Sequence, residues 1–288
     1  MKIKRLPGRT ARPKLGVMGW VLQIFLLFYA FISLYPLIWL LFYSLKNNNE
    51  IFITNPFGFP TNFRIENYIT ALNAYDVPVY FKNSIIVTVC TVVGTVLLSL
   101  MFSYAVARMR FRFQEQVRMY LMLGLFIPLQ VVMIPLAILM RDLHVANTRW
   151  AVIIPYTAFN LAFTSMVLYG HLRGIPTELE ESACIDGASI FTCFWKIIVP
   201  IIRPAIATCS IFVFMNAWNE FNIALIMLTN GKLKTLPLGL MFFQGEFTTD
   251  WGAMGAAMVI ASIPTILIYI LLSEQVEKAM TVGSAVKG

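Results

Sequence analysis

The chain has 288 residues, 59% hydrophobic and 12% charged, with a mean hydropathy of +0.75. Soluble domains carry about 25% charged residues, so this composition excludes a water-soluble enzyme and makes lipid the solvent for most of an all-α, polytopic membrane protein. The formal net charge of +8 does not signal nucleic acid, because the basic residues sit at the ends of apolar runs, where they set topology and meet lipid headgroups.

Residues 1–14 hold six Lys/Arg and two prolines and read as a polar cytoplasmic tail. The apolar run behind them is too long for the core of a cleaved signal peptide. Six apolar segments follow, at 15–45, 84–107, 117–140, 151–170, 205–228 and 251–272. Each reaches the ~20 residues a transmembrane helix needs. Residues 46–82 form an Asn/Pro/Gly-rich outer loop, with a short interfacial helix expected near 66–74. Pro128 and Pro135 predict a kink in the third segment. Residues 274–288 form a second polar tail. Lys and Arg divide fifteen to seven between alternate connections, which predicts both termini and the connection at 175–204 on the cytoplasmic side.

No catalytic pattern is present. Gly231-Lys232 lacks the upstream glycine and the following Ser/Thr of a phosphate-binding loop. His144 and His171 fall at opposite membrane faces, and Cys90, Cys184, Cys193 and Cys209 lack metal or redox spacing, so they read as free thiols.

Two stretches carry more information. In 175–204, Pro176-Thr177 opens a helix, with Thr177 and Glu180 spaced as a capping box and Glu178, Glu180 and Glu181 in the first turn. Gly187 is placed to end that helix in a left-handed turn. A second short helix follows, with Ile190, Phe194, Ile197 and Ile198 at helical spacing before Pro200 and Pro204. On pattern alone the alternative is a connecting loop whose apolar face lies on its own bundle or in the lipid interface. In the fifth segment, Asn216, Asn219 and Glu220 fall on one helical face with Asn222 at its edge, and Phe214, Trp218, Phe221 and Leu225 fall opposite. A polar stripe in hydrocarbon faces either a wet path or polar groups of neighbouring helices; both remain open.

Glu181, Ala183, Asp186-Gly187-Ala188, Phe194, Ile197, Pro200 and Pro204 match in order and spacing the EAA loop of permease subunits of binding-protein-dependent ABC importers; Ser182 stands where that pattern has Ala. The runs Asn83-Ser84, AVARMRFRF from Ala105, Trp218-Asn219-Glu220-Phe221 and Asp250-Trp251-Gly252, with the ending Val286-Lys287-Gly288, resemble the carbohydrate branch and the smaller permease of maltose-type systems. The resemblance implies a type I ABC importer permease fold of six transmembrane helices, with a first helix at 15–45 and a permease core at 83–273. It implies that Glu181, Ala183, Asp186, Gly187, Phe194 and Pro200 belong to a coupling element docked on a partner ATPase dimer. That ATPase would use ATP and Mg, with no cofactor in this chain. It further implies a second homologous permease, a periplasmic or surface solute-binding protein, and a bacterial inner-membrane location. Asn216, Asn219, Glu220 and Asn222 are the candidate solute pathway. Phe243, Gln244 and Gly245, in a hairpin-like outer loop at 229–250, would enter the opened binding protein; an interfacial helix anchored by Phe242 and Phe243 is the alternative. The competing functional reading is a channel or secondary transporter independent of ATP.

Overall fold

The computed structural model describes residues 16–74, 76–243 and 249–285, and every regular element among them is helical. In chain order these are α1 (Val17–Ser44), α2 (Glu66–Ala74), α3 (Val77–Arg108), α4 (Gln114–Leu123), α5 (Leu129–Asp142), α6 (Trp150–Arg173) and α7 (Glu178–Ile185). There follow α8 (Ile190–Thr192), a π turn (Cys193–Ile198) and α9 (Val199–Ile201), then α10 (Arg203–Asn219), α11 (Asn222–Met227), α12 (Leu236–Gly239) and α13 (Trp251–Ala285). α1, α3, α6 and α13 are each long and apolar enough to cross a bilayer unbroken.

The remaining crossings follow from how α3 and α6 pair. Ser99 Oγ donates to the carbonyl of Leu161 at 3.4 Å and Ser103 Oγ to that of Ser165 at 2.9 Å, both pairs 62 residues apart. Asn83 at the start of α3 likewise meets Arg149 just before α6. A constant offset means the two helices run parallel. The chain must therefore cross once between them, and α4 with α5 provide that crossing. The single kinked helix expected at 117–140 is instead two helices bent by 106° around Ile127-Pro128. Pro128 has no N–H to give and biases Ile127 to extended backbone, so the helix cannot run through. α10 and α11 return the chain to the end of the bundle holding Asn83, whose amide donates to the carbonyls of Lys232 and Lys234. Together with α1 and α13 this makes six crossings, with the start of α1 and the end of α13 at the same end of the bundle, the basal end, where α7 lies.

α3 buries Thr88, Thr91, Thr95, Ser99 and Ser103 and α6 buries Thr164 and Ser165, with Ser99 and Ser103 bonded across the α3–α6 seam. Small hydroxyl residues let two backbones approach closely in lipid, where no hydrophobic force drives helices together. Below the seam, Leu100, Tyr104, Leu168, Leu172, Phe194 and Ile198 form a basal apolar cluster. α1 differs: its side chains from Val17 to Ile38 face outward almost throughout, and only its distal end packs on α13, where Tyr43 occupies the space a Cβ on Gly255 would need.

The outer loop after α1 is built on two buried charges. Lys46, 1% exposed, donates from Nζ to the carbonyls of Asn55 at 2.6 Å and Gly58 at 2.7 Å. Glu50 accepts from the Thr61 N–H at 2.6 Å and the Thr61 hydroxyl at 3.0 Å. Burial pulls the Lys46 ammonium below its usual range against the pull of Glu50. Burial alone would raise Glu50, but the Thr61 and Asn55 hydrogen bonds and Lys46 outweigh it and hold the carboxyl low. α2 occupies Glu66–Ala74 as expected. Gly252 at the start of α13 sits so close that a Cβ would lie 2.5 Å from the Asn67 amide and 2.6 Å from the Lys46 carbonyl.

Two further expectations are corrected. The fifth segment is not one helix: α10 stops at Asn219, Glu220 is extended with ψ 130°, and α11 restarts at Asn222. Phe214 and Trp218 are buried as the helical wheel requires, but the break turns Leu225 outward, to 46% exposure. Residues 229–243 form no hairpin. They fold back as a 3-10 turn at Gly231–Leu233, α12, and a 3-10 turn at Leu240–Phe243. The apolar residues Leu236, Leu238 and Phe243 insert into the bundle.

Candidate functional site

The element expected to dock on an ATPase runs from α7 to α9. α7 ends in a Schellman turn: Gly187 N–H bonds to the Cys184 carbonyl at 3.0 Å and Ala188 N–H to the Ala183 carbonyl at 2.9 Å, with Gly187 at φ +85°. The capping box at its start does not form, because Thr177 is itself helical and its side chain caps nothing. Glu180 is engaged elsewhere. Tyr104 donates its hydroxyl to Glu180 Oε1 at 2.8 Å, and Arg108 Nε lies 2.6 Å from Oε2, an ionic contact that is not aligned as a hydrogen bond. Arg108 also donates from its terminal nitrogen to the Ile175 carbonyl at 2.8 Å. The pair is largely buried, with side-chain exposures of 9% and 13%. Removing one partner of such a pair costs about 3–5 kcal/mol, because the other charge is left buried and alone.

The second helix is capped by Ser189, whose Oγ accepts from Thr192 N–H. Phe194 and Ile198 point into the basal cluster, and the Phe194 ring lies 4.9 Å from that of Tyr104. Phe194 thus anchors the element to its own bundle and offers no surface to a partner, while Pro200 is half-buried behind it. Glu181, Asp186 and Gly187 are exposed and Ala183 is half-buried. Beside them Ile185 and Phe191, 86% and 76% exposed, give the element an apolar outward face that the sequence pattern did not single out. Cys184 is exposed and Cys193 buried, both free.

The second region lies inside the bundle. A cleft of about 250 Å³ is lined by Leu129 of α5, Tyr156, Phe159 and Asn160 of α6, and Asn216, Ala217, Glu220 and Ile223 around the α10–α11 break. Tyr156 and Asn160 are six and ten residues into α6, which places the cleft about 9–15 Å below that helix's distal end. Glu220 is held by three donors: the Tyr156 hydroxyl at 2.5 Å, Ile223 N–H at 2.8 Å and Ala224 N–H at 3.3 Å. It therefore caps α11 inside the membrane, meeting N–H groups that hydrocarbon would leave unpaired. Asn216 donates to Asn160 at 2.9 Å, and Asn160 to the Tyr156 carbonyl at 2.8 Å. Of the four expected pathway residues, Asn216 and Glu220 line the cleft. Asn219 bonds back to the Met215 carbonyl, and Asn219 and Asn222 are exposed outside it. Asn160 was visible in the sequence as a polar residue in an apolar run; its pairing with Asn216 was not.

At the distal end, a polar cleft of about 470 Å³ is formed by Lys46, Asn47, Asn48, Asn49, Arg64, Asn67, Thr249 and Asp250. Phe243, expected to reach a binding protein, is instead fully buried against α13, because an apolar ring next to the bundle gains more by insertion than by projection into water. Gln244 and Gly245 lie outside the described residues.

Residues 99–282 match the family described as binding-protein-dependent transport system inner membrane component. The chain is 34% identical over 92% of its length to the probable ABC transporter permease protein YurM of Bacillus subtilis, covering 87% of that protein. It is 35% identical over 88% of its length to the diacetylchitobiose uptake system permease protein DasC of Streptomyces coelicolor, covering 92% of that one. A chain in the solved structure of a bacterial ABC transporter involved in the import of the acidic polysaccharide alginate superposes with a TM-score of 0.80 at 22% identity, over 90% of this chain and 96% of that one. The fold is thus that of ABC importer permeases.

Proposed function

Because this chain belongs to the binding-protein-dependent transport system inner membrane components, we propose that it is the permease subunit of an ATP-driven importer taking up a carbohydrate handed over by a solute-binding protein. The observation that carries the coupling half of this reading is the α7–α9 element: two short helices set at an angle by Gly187, anchored inward by Phe194 and presenting Glu181, Ile185 and Phe191 outward. Such a surface suits docking on an ATPase dimer that supplies ATP and Mg chemistry this chain does not contain. The carbohydrate half rests on relatives named for sugar uptake and on a cleft whose amides and aromatic rings suit a hydroxyl-rich solute.

In this reading a second homologous permease completes the pathway, and Asn216 and Glu220 lie along it. The binding protein sits on the distal face, over the polar cleft around Asn48 and Arg64. The basal end, where α1 starts and α13 ends, faces the bacterial cytoplasm, because the connections on that side carry the Lys/Arg excess. Alternating access then follows from movement of the coupling element driven by the ATPase. Affinity purification from native membrane tests the proposal. It should recover an ATPase, a second permease and a binding protein loaded with sugar, and the reconstituted assembly should import that sugar only with ATP. Uptake that persists without ATP, or a chain that purifies without an ATPase, would overturn it.

A further inference from the structure

Resting on the importer reading above, we propose that Glu180, Arg108 and Tyr104 form a latch that makes the coupling element and α3 move as one lever, so that ATP-driven displacement of α7 reaches the wall of the intramembrane cleft. Glu180 is a positioning residue in this scheme, distinct from the outward-facing Glu181.

The geometry sets the latch apart from the other contacts of the element. Phe194 and Ile198 meet the bundle through apolar surface, which resists separation but allows sliding, since dispersion and hydrophobic contact are non-directional. Glu180 instead accepts from Tyr104 at 2.8 Å and faces Arg108 at 2.6 Å, and Arg108 simultaneously grips the Ile175 carbonyl at the entrance to α7. Tyr104 and Arg108 are four residues apart, on one face of the last turns of α3. Both ends of the α7 entry are therefore tied to one short stretch of one helix. The largely buried pair cannot exchange its partners for water without opening the cluster around it.

From α3 the connection continues through directional bonds. Ser103 and Ser99 donate to the Ser165 and Leu161 carbonyls of α6, and α6 carries Tyr156, Phe159 and Asn160 into the cleft. A displacement imposed on α7 is thus passed to α3 by the latch and to α6 by the seam. An element held by apolar contact alone would slip and waste the stroke.

The test uses the assembled transporter in liposomes, measuring ATP hydrolysed per solute imported. The wild-type assembly comes first: if it does not import with ATP, the importer reading fails, independently of the latch. Given a coupled wild type, Glu180→Gln and Arg108→Gln should each raise the ATP-to-solute ratio at least about threefold, the scale on which coupling networks respond to mutation. The double variant should be no worse than either single one, because the pair acts as a unit. Tyr104→Phe keeps the ring on Phe194 and removes one bond, so it should raise the ratio by a smaller factor in a fully assembled complex. A wild-type ratio in Glu180→Gln, or additive losses in the double variant, would overturn the latch. Should Glu180→Gln fail to assemble, a wild-type ratio in Tyr104→Phe overturns it equally.

Discussion

Glu220→Ala separates capping from solute contact at the α10–α11 break. The substitution strips acceptors from the Tyr156 hydroxyl, on a residue 2% exposed, and from the Ile223 and Ala224 N–H groups. A buried donor left unpaired costs about 1–3 kcal/mol, and loss of a helix cap costs about 0.5–2 kcal/mol. The expected total is about 3 kcal/mol, which at ~2–4 °C per kcal/mol for a chain of this size lowers the melting temperature by roughly 6–12 °C. Glu220→Gln keeps one acceptor oxygen and should lose less than half of that. Differential scanning fluorimetry of the purified complex reads the stability, and uptake in proteoliposomes reads the function. Tyr156→Phe combined with Glu220→Gln should be less damaging than the two singles added, since both break the same bond. If Glu220→Ala leaves the melting temperature within about 2 °C of wild type while uptake disappears, the cap argument is wrong and Glu220 acts on the solute directly.

Other outcomes are equally definite. On a cysteine-free background, cysteines at Asn48 and Gly231, both exposed at the distal end, should react with an impermeant maleimide added to intact cells once the outer barrier is opened, and one at Thr177 should not; the reverse pattern would invert the topology. Gly187→Val meets no neighbour within 4 Å, so its cost is the backbone strain of a β-branched residue at φ +85°, about 1–2 kcal/mol. It should lower binding-protein-stimulated ATP hydrolysis, whereas Gly187→Asn, tolerant of that conformation, should lower it less; equal effects would argue against the turn. Glu50 has its carboxyl held below the usual range in the folded loop, so its contribution to loop order is complete above the ordinary carboxylate pKa and is lost as pH falls through the depressed value. A spin label at position 57 should therefore gain mobility only at acid pH, and Thr61→Ala, which removes one bond to Glu50, should move that transition to higher pH; a label whose mobility ignores pH would refute the role.

The sequence by itself determined the solvent, the number of crossings and the pair of short helices that turns at Gly187. Apolar runs of bilayer length leave hydrogen-bonded helix as the available backbone, which is why α1, α3, α6 and α13 fall where hydropathy places them. Gly187 likewise ends α7 because a residue without a Cβ adopts a positive φ at little cost. The tertiary structure decided what local pattern could not. Thr177 and Glu180 are spaced for a capping box, yet Glu180 is taken by Arg108 and Tyr104, residues 72 and 76 positions earlier. A buried charge satisfies its strongest available partner, and sequence spacing holds no record of a partner on another helix. Phe243 is as apolar as an outer anchor should be, but the neighbouring α13 offers a better burial than water or headgroups. The break at Glu220 is the clearest case. Helical periodicity extrapolates straight through it, whereas the Tyr156 hydroxyl on α6, a partner from another helix, helps hold a carboxyl where it caps a new helix and rotates the residues after it.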